Sequence, residues 1–274
     1  MARVVGIESG IPKEKPAYTV NRLCGTGVQA IVSAAQAIMS GDADVALAGG
    51  AESMSRGPYW MPDARWGTKM GPSTLVDPVQ GSLQDPFHEI LMGVTAENLA
   101  ERMSISREDQ DAFAVESHRR AASAWDAGKF DDEVVPVPVK VKRETVEFAR
   151  DEHFRPDATA ETMARLKPIF KKEGGTVTAG NASGMNDAGA AVVLMTEEKA
   201  AELGSPVRAR ILAWGISGCE PEVMGIGPVP AVRRAMEKAG RSLGEMERSD
   251  HELGLVTLCI GGGQGIALLL HREG

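Results

Sequence analysis

Apolar residues recur along this chain at two periods, and the switching between them outlines its organisation. Residues 17–24 (AYTVNRLC) read as a short strand that ends on a cysteine. Val28, Ile31, Val32, Ala35, Ile38 and Met39 then fall at helical spacing, and Gly41 stops the pattern. Asp44 to Gly50 (DVALAGG) is a short apolar run bounded by Asp and Gly, which predicts a buried strand. Strand, turn, helix, strand is the order of a βαβ unit.

From Ser55 to Leu83 the period is lost among Met, Pro, Gly and Trp. A long structured excursion of this kind usually covers something or binds something. Ser106 predicts the cap of a helix running to Gly128, with acids in its first turn. Lys129 to Val141 alternates apolar and polar residues around two prolines, as an edge strand does. A glycine-rich loop follows, then a buried strand from Ala190 to Met195 and a short helix starting near Thr196. Val207 to Ser217 reads as a further strand, and Pro228 or Pro230 opens a helix that ends at Gly240. Leu255–Ile260, a GGGQG turn and Ile266–Leu270 close the pattern as a hairpin.

Composition narrows the class. A chain of 274 residues, 43% hydrophobic and 25% charged, can bury a sizeable core as one large domain or two fused ones. Aromatic residues make up only 4%, while Gly, Ala and Val are abundant, which suits close helix–sheet packing in an α/β protein. The net charge of −8 argues against non-specific nucleic-acid binding. No run approaches the ~18–20 apolar residues of a membrane helix, and Met1–Gly10 lacks the pattern of a signal peptide. Cys24, Cys219 and Cys259 are too widely spaced for a metal cluster or a disulfide framework. The expectation is a reducing cytoplasm and free thiols.

Cys24 is the sharpest chemical feature. At the start of a helix its sulfur faces unpaired N–H groups and the positive end of the dipole, an arrangement that raises the thiolate fraction. Gly25 and Gly27 are expected to leave space for an acyl group and let backbone approach closely. On local features alone, a small buried hydrophobe fits the position as well as an activated nucleophile does. Cys259 ends a strand before three glycines, whose N–H groups can serve an oxyanion, although an ordinary hairpin turn explains them equally. The TAGNASG loop (Thr178–Gly184) can approach a nucleotide or pantetheine, and Arg155, Lys167, Lys171 and Lys172 make the preceding stretch basic. A solvated face is the plainer account of those charges.

Among the histidines, His118, His153 and His271 read as surface residues, the last at a frayed end, and His88 has no assigned element. His251 precedes Cys259 by eight residues, so an extended Leu253–Cys259 would hold their backbones more than about 20 Å apart. No histidine presents itself as a base for Cys24.

Six stretches together carry a family resemblance: VNRLCGTGVQA, DVALAGGAESMS, MGVTAENLAERMSISREDQDAFAVESHRRA, TVTAGNASGMNDAGAA, MGIGPVPA and GLVTLCIGGGQGIALLL. In this order they resemble the thiolases, the acetyl-CoA acetyltransferase and 3-ketoacyl-CoA thiolase family. The resemblance implies an α/β fold of αβαβα layers with mixed sheets, incomplete relative to the family. Residues 1–54 would belong to an N-terminal half, 55–183 to a loop domain over the active site, and 184–274 to a C-terminal half. It implies an acyl-CoA C-acyltransferase of fatty acid metabolism, forming or cleaving 3-ketoacyl-CoA. No cofactor would be permanently bound: coenzyme A and acyl-CoA are substrates, and the partner is a second copy in a homodimer or homotetramer.

By motif match, Cys24 would be acylated, Cys259 would exchange the α-carbon proton, and the N–H groups of Cys24 and Gly261 would hold the oxyanion. Ser183, Ala179 and Gly180 match the loop that contacts pantetheine, and Arg155, Leu83, Met92 and Phe170 match further pocket positions. Leu91 stands where biosynthetic thiolases often carry His, which does not support short-chain biosynthetic specificity. A β-ketoacyl synthase, which pairs its cysteine with two histidines, is set apart by the second-cysteine motif CIGGG.

Two departures bear on activity. The resemblance places ARVVGIESGIPKEKPAYTV after the family's first core strand, so that strand is expected to be missing. Near residue 250, GEMERSD runs straight into HELGLVTLCIGGG, and the family's NEAFA and GHPxGxSG motifs do not occur. These motifs carry the histidine that activates the nucleophile and the asparagine that helps hold the enolate. Losing an oxyanion donor costs ~2.7–4 kcal/mol in the transition state, and losing a base a further ~10²–10⁴-fold in rate. The alternative expectation is therefore an impaired remnant that at most binds CoA or partners another subunit.

Overall fold

Helices and strands are interspersed along the chain with a long irregular excursion among them. A computed structural model describes residues 1–248 and 252–273, without the side chains of Glu247 and Arg248. The helices are α1 (Ala2–Glu8), α2 (Thr26–Met39), α3 (Pro78–Ser82), α4 (Met92–Met103), α5 (Arg107–Asp126), α6 (Ala160–Ala164), α7 (Glu197–Leu203), α8 (Pro228–Ala239) and α9 (Leu243–Arg248). The strands are β1 (Val45–Ser53), β2 (Val137–Val141), β3 (Glu144–Phe148), β4 (Asp187–Met195), β5 (Ala209–Gly218), β6 (Leu253–Ile260) and β7 (Gln264–Arg272). Two compact units result, one of Met1–Thr95 with Asp187–Gly274 and the other of Ala96–Asn186.

In the first unit, β5, β7 and β6 form an antiparallel sheet with β7 in the centre. The period of two along β7 sends Ile266, Leu268 and Leu270 to one face and Ala267 to the other. Val28, Ile31 and Val32 of α2 close the first face, and Ala231 and Ala235 of α8 close the second. The alanines let α8 come so close that a methyl at Gly215 would run into the Ala231 carbonyl. On its other side α2 packs against β1 and β4, which pair antiparallel as a two-stranded ribbon. Layers of helix, sheet, helix and ribbon follow, four of the five layers of an αβαβα arrangement. Every strand pair among the described residues is antiparallel, where mixed sheets were expected.

Several expectations need correction here. Residues 17–24 form no strand. Side chains take their backbone donors instead: Asn21 Oδ1 accepts from Leu23 N–H at 2.8 Å, and Thr26 Oγ1 accepts from Arg22 N–H at 2.8 Å. Such local bonds compete with a ladder and turn the chain. The unit therefore has no parallel βαβ crossover at this point, because β1 pairs antiparallel with β4 across a long sequence gap. Neither β1 nor the strand from Ala190 to Met195 is buried. Val45, Leu47, Val192 and Val193 are exposed, since α2 covers one face of the ribbon only. His271 is not frayed: it lies in β7 opposite Arg210 and Leu253, with Nδ1 3.3 Å from Glu273 Oε1.

In the second unit, Ser106 caps α5 as predicted, its hydroxyl accepting from Asp109 N–H at 3.0 Å. The edge strand begins only at Val137, after turns at residues 129–133, and Lys142 at φ +55° helps turn it into β3. Arg107 joins α5 to the end of α6, donating to Asp111 at 2.7 Å and to the carbonyls of Met163 and Leu166 at 2.7 and 3.0 Å. No helix among the described residues is long and apolar enough to cross a membrane.

Candidate active site

Cys24 sits in a 3-10 turn, Leu23–Gly25, that runs directly into α2. The turn is tied at every step. Besides the Asn21 and Thr26 acceptors, Gly25 N–H donates to the Arg22 carbonyl at 3.0 Å and the Thr26 hydroxyl to the Leu23 carbonyl at 2.7 Å. Leu23 adopts φ +44°, an unusual conformation for a leucine that stores about 1–3 kcal/mol. The cysteine itself is exposed. Neither the strain nor the side-chain acceptors were read from the sequence, although Asn21 and Thr26 flank the cysteine at turn-forming distances.

The glycines divide their work differently from expectation. Gly25 is buried, and a methyl there would lie 2.5 Å from Ile260 Cδ1 and 3.0 Å from Ile266 Cγ2. It exists to let the turn touch the sheet rather than to clear space for an acyl group. Gly27 faces open space and is the one that leaves room.

Through that contact the turn packs on β6, which ends at Cys259 and Ile260. The Cys259 thiol is pushed above its ordinary value, by burial first and by the charge of the nearby Cys24 second. Cys219 is also raised, by burial, then by Glu220 and Cys259. The three thiols thus belong to one neighbourhood of the first unit. After Cys259 the chain turns with Gly262 at φ +77° and Gly263 at φ +79°, two successive left-handed positions that only glycine occupies without strain. Gly261 faces Leu23 and Met92, whose Cδ1 and Sδ lie 3.5 Å from the position of a Cβ. Arg22 Nη1 donates to Gln264 Oε1 at 3.2 Å, joining the Cys24 segment to the strand beyond the glycine turn. Leu83 and Met92 belong to the same unit, bonded through Met92 N–H to the Leu83 carbonyl at 2.8 Å.

Arg155, Phe170, Ala179, Gly180 and Ser183 lie in the second unit. Their loop is held by polar groups that no motif in the sequence marks. Glu97 accepts from Thr176 N–H at 2.9 Å, Thr176 Oγ1 at 2.8 Å and Val177 N–H at 2.8 Å. Asn181 Nδ2 donates to Asp111 at 2.9 Å and to the Thr176 carbonyl at 3.0 Å, while its Oδ1 accepts from Thr178 N–H at 2.8 Å. Glu97 and Asp111 are buried, so these bonds fix the loop rather than decorate it. Ala179 and Ser183 are exposed, and Gly180 has no room for a side chain against Met163 and Leu166. Arg155 is exposed, with its N–H donating to Nδ1 of the half-buried His118 at 3.1 Å. His153 lies against Gly184, and its ring centroid is 6.4 Å from that of His118. Among the described residues no group of His, Cys, Asp and Glu could hold a metal ion. His251 lies outside the described residues.

The layered fold and the sequence point the same way: this chain belongs to the thiolase family. The family model described as thiolase, N-terminal domain, matches residues 1–198. The chain is 46% identical to the beta-ketothiolase BktB of Cupriavidus necator, covering 99% of this chain and 83% of that protein. That alignment runs over 327 positions against 274 residues here, so the relative carries residues with no counterpart in this sequence. The chain superposes on human mitochondrial 3-ketoacyl-CoA thiolase with a TM-score of 0.94 at 39% identity, covering 99% of this chain and 83% of the human one. A structure of the human enzyme in complex with CoA gives a TM-score of 0.91 at 38% identity, with coverage of 100% and 82%.

Proposed function

We propose that this protein is an acyl-CoA C-acyltransferase of thiolase type, working through an acyl group on Cys24. The observation that carries the reading is the strained, exposed Cys24 turn packed on the strand of a half-buried second thiol, Cys259. In the first step the Cys24 thiolate attacks the thioester carbonyl, the bond from carbonyl carbon to CoA sulfur breaks, and CoA leaves as a thiolate that takes up a proton. The backbone N–H groups of Cys24 and Gly261 would hold the oxyanion. Cys259, half-buried and with its thiol pushed above the ordinary value, would carry the proton exchanged at the α-carbon. Ser183, Ala179, Gly180, Arg155, Phe170, Leu83 and Met92 would contact the CoA ester. A homodimer or homotetramer in a reducing cytoplasm completes the reading.

The second reading keeps the fold but limits the chemistry. Neither NEAFA nor GHPxGxSG occurs in the sequence, so acylation of Cys24 is expected to proceed far more slowly than in relatives that have them. Incubation with acetyl-CoA followed by intact mass spectrometry decides between them. The expected result is an acetyl adduct that Cys24→Ser abolishes. No adduct under conditions that label a relative bearing both motifs would refute acyl transfer, and a thermal shift with CoA would then separate a CoA binder from a chain without a CoA site.

A further inference from the structure

The loop from Leu83 to Met92 folds back on itself. Asp85 N–H donates to the Ile90 carbonyl at 2.7 Å, and Gln84 Nε2 to the Glu89 carbonyl at 3.0 Å. Its tip is organised by Asp85, which is fully buried. Oδ2 accepts from the N–H groups of Phe87 at 3.0 Å and His88 at 2.8 Å, and faces His88 Nδ1 at 3.1 Å. Oδ1 is buried without a hydrogen-bond partner among the described residues. A buried carboxylate compensated on one oxygen only is unfavourable unless a strong partner stands beside it. His88 is that partner.

The second nitrogen of the His88 ring, Nε2, lies 3.6 Å from Glu222 Oε2 on the 3-10 turn Pro221–Ile226. Just before that turn, Cys219 N–H donates to the Gly263 carbonyl at 2.7 Å. His88 therefore spans from the loop to a segment anchored on the glycine turn after Cys259. The apolar side of the loop meets the same turn. Phe87 Cε2 lies 3.9 Å from where a Cβ on Gly262 would stand, and Met92 Sδ 3.5 Å from that of Gly261. Leu23, next to the nucleophile, supplies the third apolar group at 3.5 Å.

We propose that His88 is a positioning residue. By bridging Asp85 and Glu222 it holds Phe87 and Met92 against Gly261 and Gly262, and so sets the fit of the acyl group delivered to Cys24. The inference rests on the reading that Cys24 accepts acyl groups. His88 does not touch the reacting atoms. An imidazole serves because its two nitrogens lie on opposite sides of the ring, Nδ1 3.1 Å from Asp85 and Nε2 3.6 Å from Glu222. Without the ring, Asp85 keeps only backbone donors, and the loop loses its tie to the Pro221–Ile226 turn.

The test compares wild type, His88→Ala, His88→Gln and Glu222→Gln. Amide hydrogen exchange across residues 83–92 is expected to quicken about tenfold in His88→Ala. Acylation of Cys24 by acetyl-CoA and hexanoyl-CoA is followed by intact mass. The half-saturating concentration should rise about tenfold while the limiting rate changes by less than about twofold. His88→Gln, which keeps a donor toward Asp85, should recover most of both losses. Unchanged exchange in His88→Ala overturns the latch, and quicker exchange with unaltered acylation of both esters overturns its role in acyl fit. Should wild-type Cys24 accept neither ester, the transfer reading fails separately, and the exchange data alone decide the latch.

Discussion

The β5–β7–β6 sheet and the β1–β4 ribbon are both rich in Ala, Val, Leu and Gly, yet they end in opposite environments. Leu268 in the sheet is 2% exposed, whereas Val193 in the ribbon is 61% exposed. The difference lies in what covers them. The sheet has α2 on one face and α8 on the other, while the ribbon has α2 alone. Burying a large aliphatic side chain is worth about 1.5–3 kcal/mol, so the sheet carries the stability of this unit. Of the candidate cysteines, Cys259 accordingly stands on the sheet and Cys24 in the turn packed against it, where a firm core fixes their positions.

Substitutions can break that contrast, beginning with the largest effect. Leu268→Ala should destabilise by about 2–5 kcal/mol in urea unfolding, because it opens a cavity between β7 and α2. Val193→Ala should change stability by less than about 0.5 kcal/mol. Equal losses from the two would show that the ribbon is buried in solution. Glycines sharpen the same point. Gly215→Ala drives a methyl into the Ala231 carbonyl and should cost about 1–3 kcal/mol. Gly50→Ala meets no atom within 4 Å and should leave thermal stability unchanged or raise it by up to about 1 kcal/mol.

A subtler prediction concerns Cys259 on the sheet and Cys24 in the turn beside it. Burial and the charge of Cys24 raise the Cys259 thiol, so its thiolate forms at a higher pH than that of an ordinary cysteine. Its contribution to stability is present below the unfolded-state value and lost as pH rises through the higher folded one. Iodoacetamide labelling read by peptide mass should therefore modify the exposed Cys24 first, with Cys259 following at more alkaline pH. Cys24→Ser removes the smaller of the two causes and should move the Cys259 labelling curve slightly toward lower pH. A curve that stays in place would show that the two thiols do not sense each other.

Much of the local structure was legible in the residues. The Ser106 cap, the Pro228 start and Gly240 stop of α8, and the hairpin across GGGQG all follow from short-range chemistry, and all appear. The strand expected at 17–24 failed because a strand needs a neighbour, and nothing in eight residues reports whether one is present. Asn21 and Thr26 bonded the backbone locally instead. The same limit explains the ribbon, since an apolar run shows that a strand can be buried but not what lies over it. At the site, the two cysteines and the glycine turn were visible as motifs. The supporting groups, Asn21, Arg22, Asp85, Glu97 and Asp111, look like ordinary polar residues until their partners are placed beside them.

By itself the sequence determined the family, the position of Cys24 ahead of a helix, and the glycines that let the chain turn after Cys259. These are matters of spacing and of which residues tolerate a given backbone angle. Only the tertiary structure decided that Gly25 serves packing rather than acyl clearance, that Cys24 and Cys259 share one electrostatic neighbourhood, and that His88 stands between two carboxylates. Those outcomes depend on atoms brought together from distant parts of the chain, where burial and charge act over a few ångströms and sequence distance does not enter.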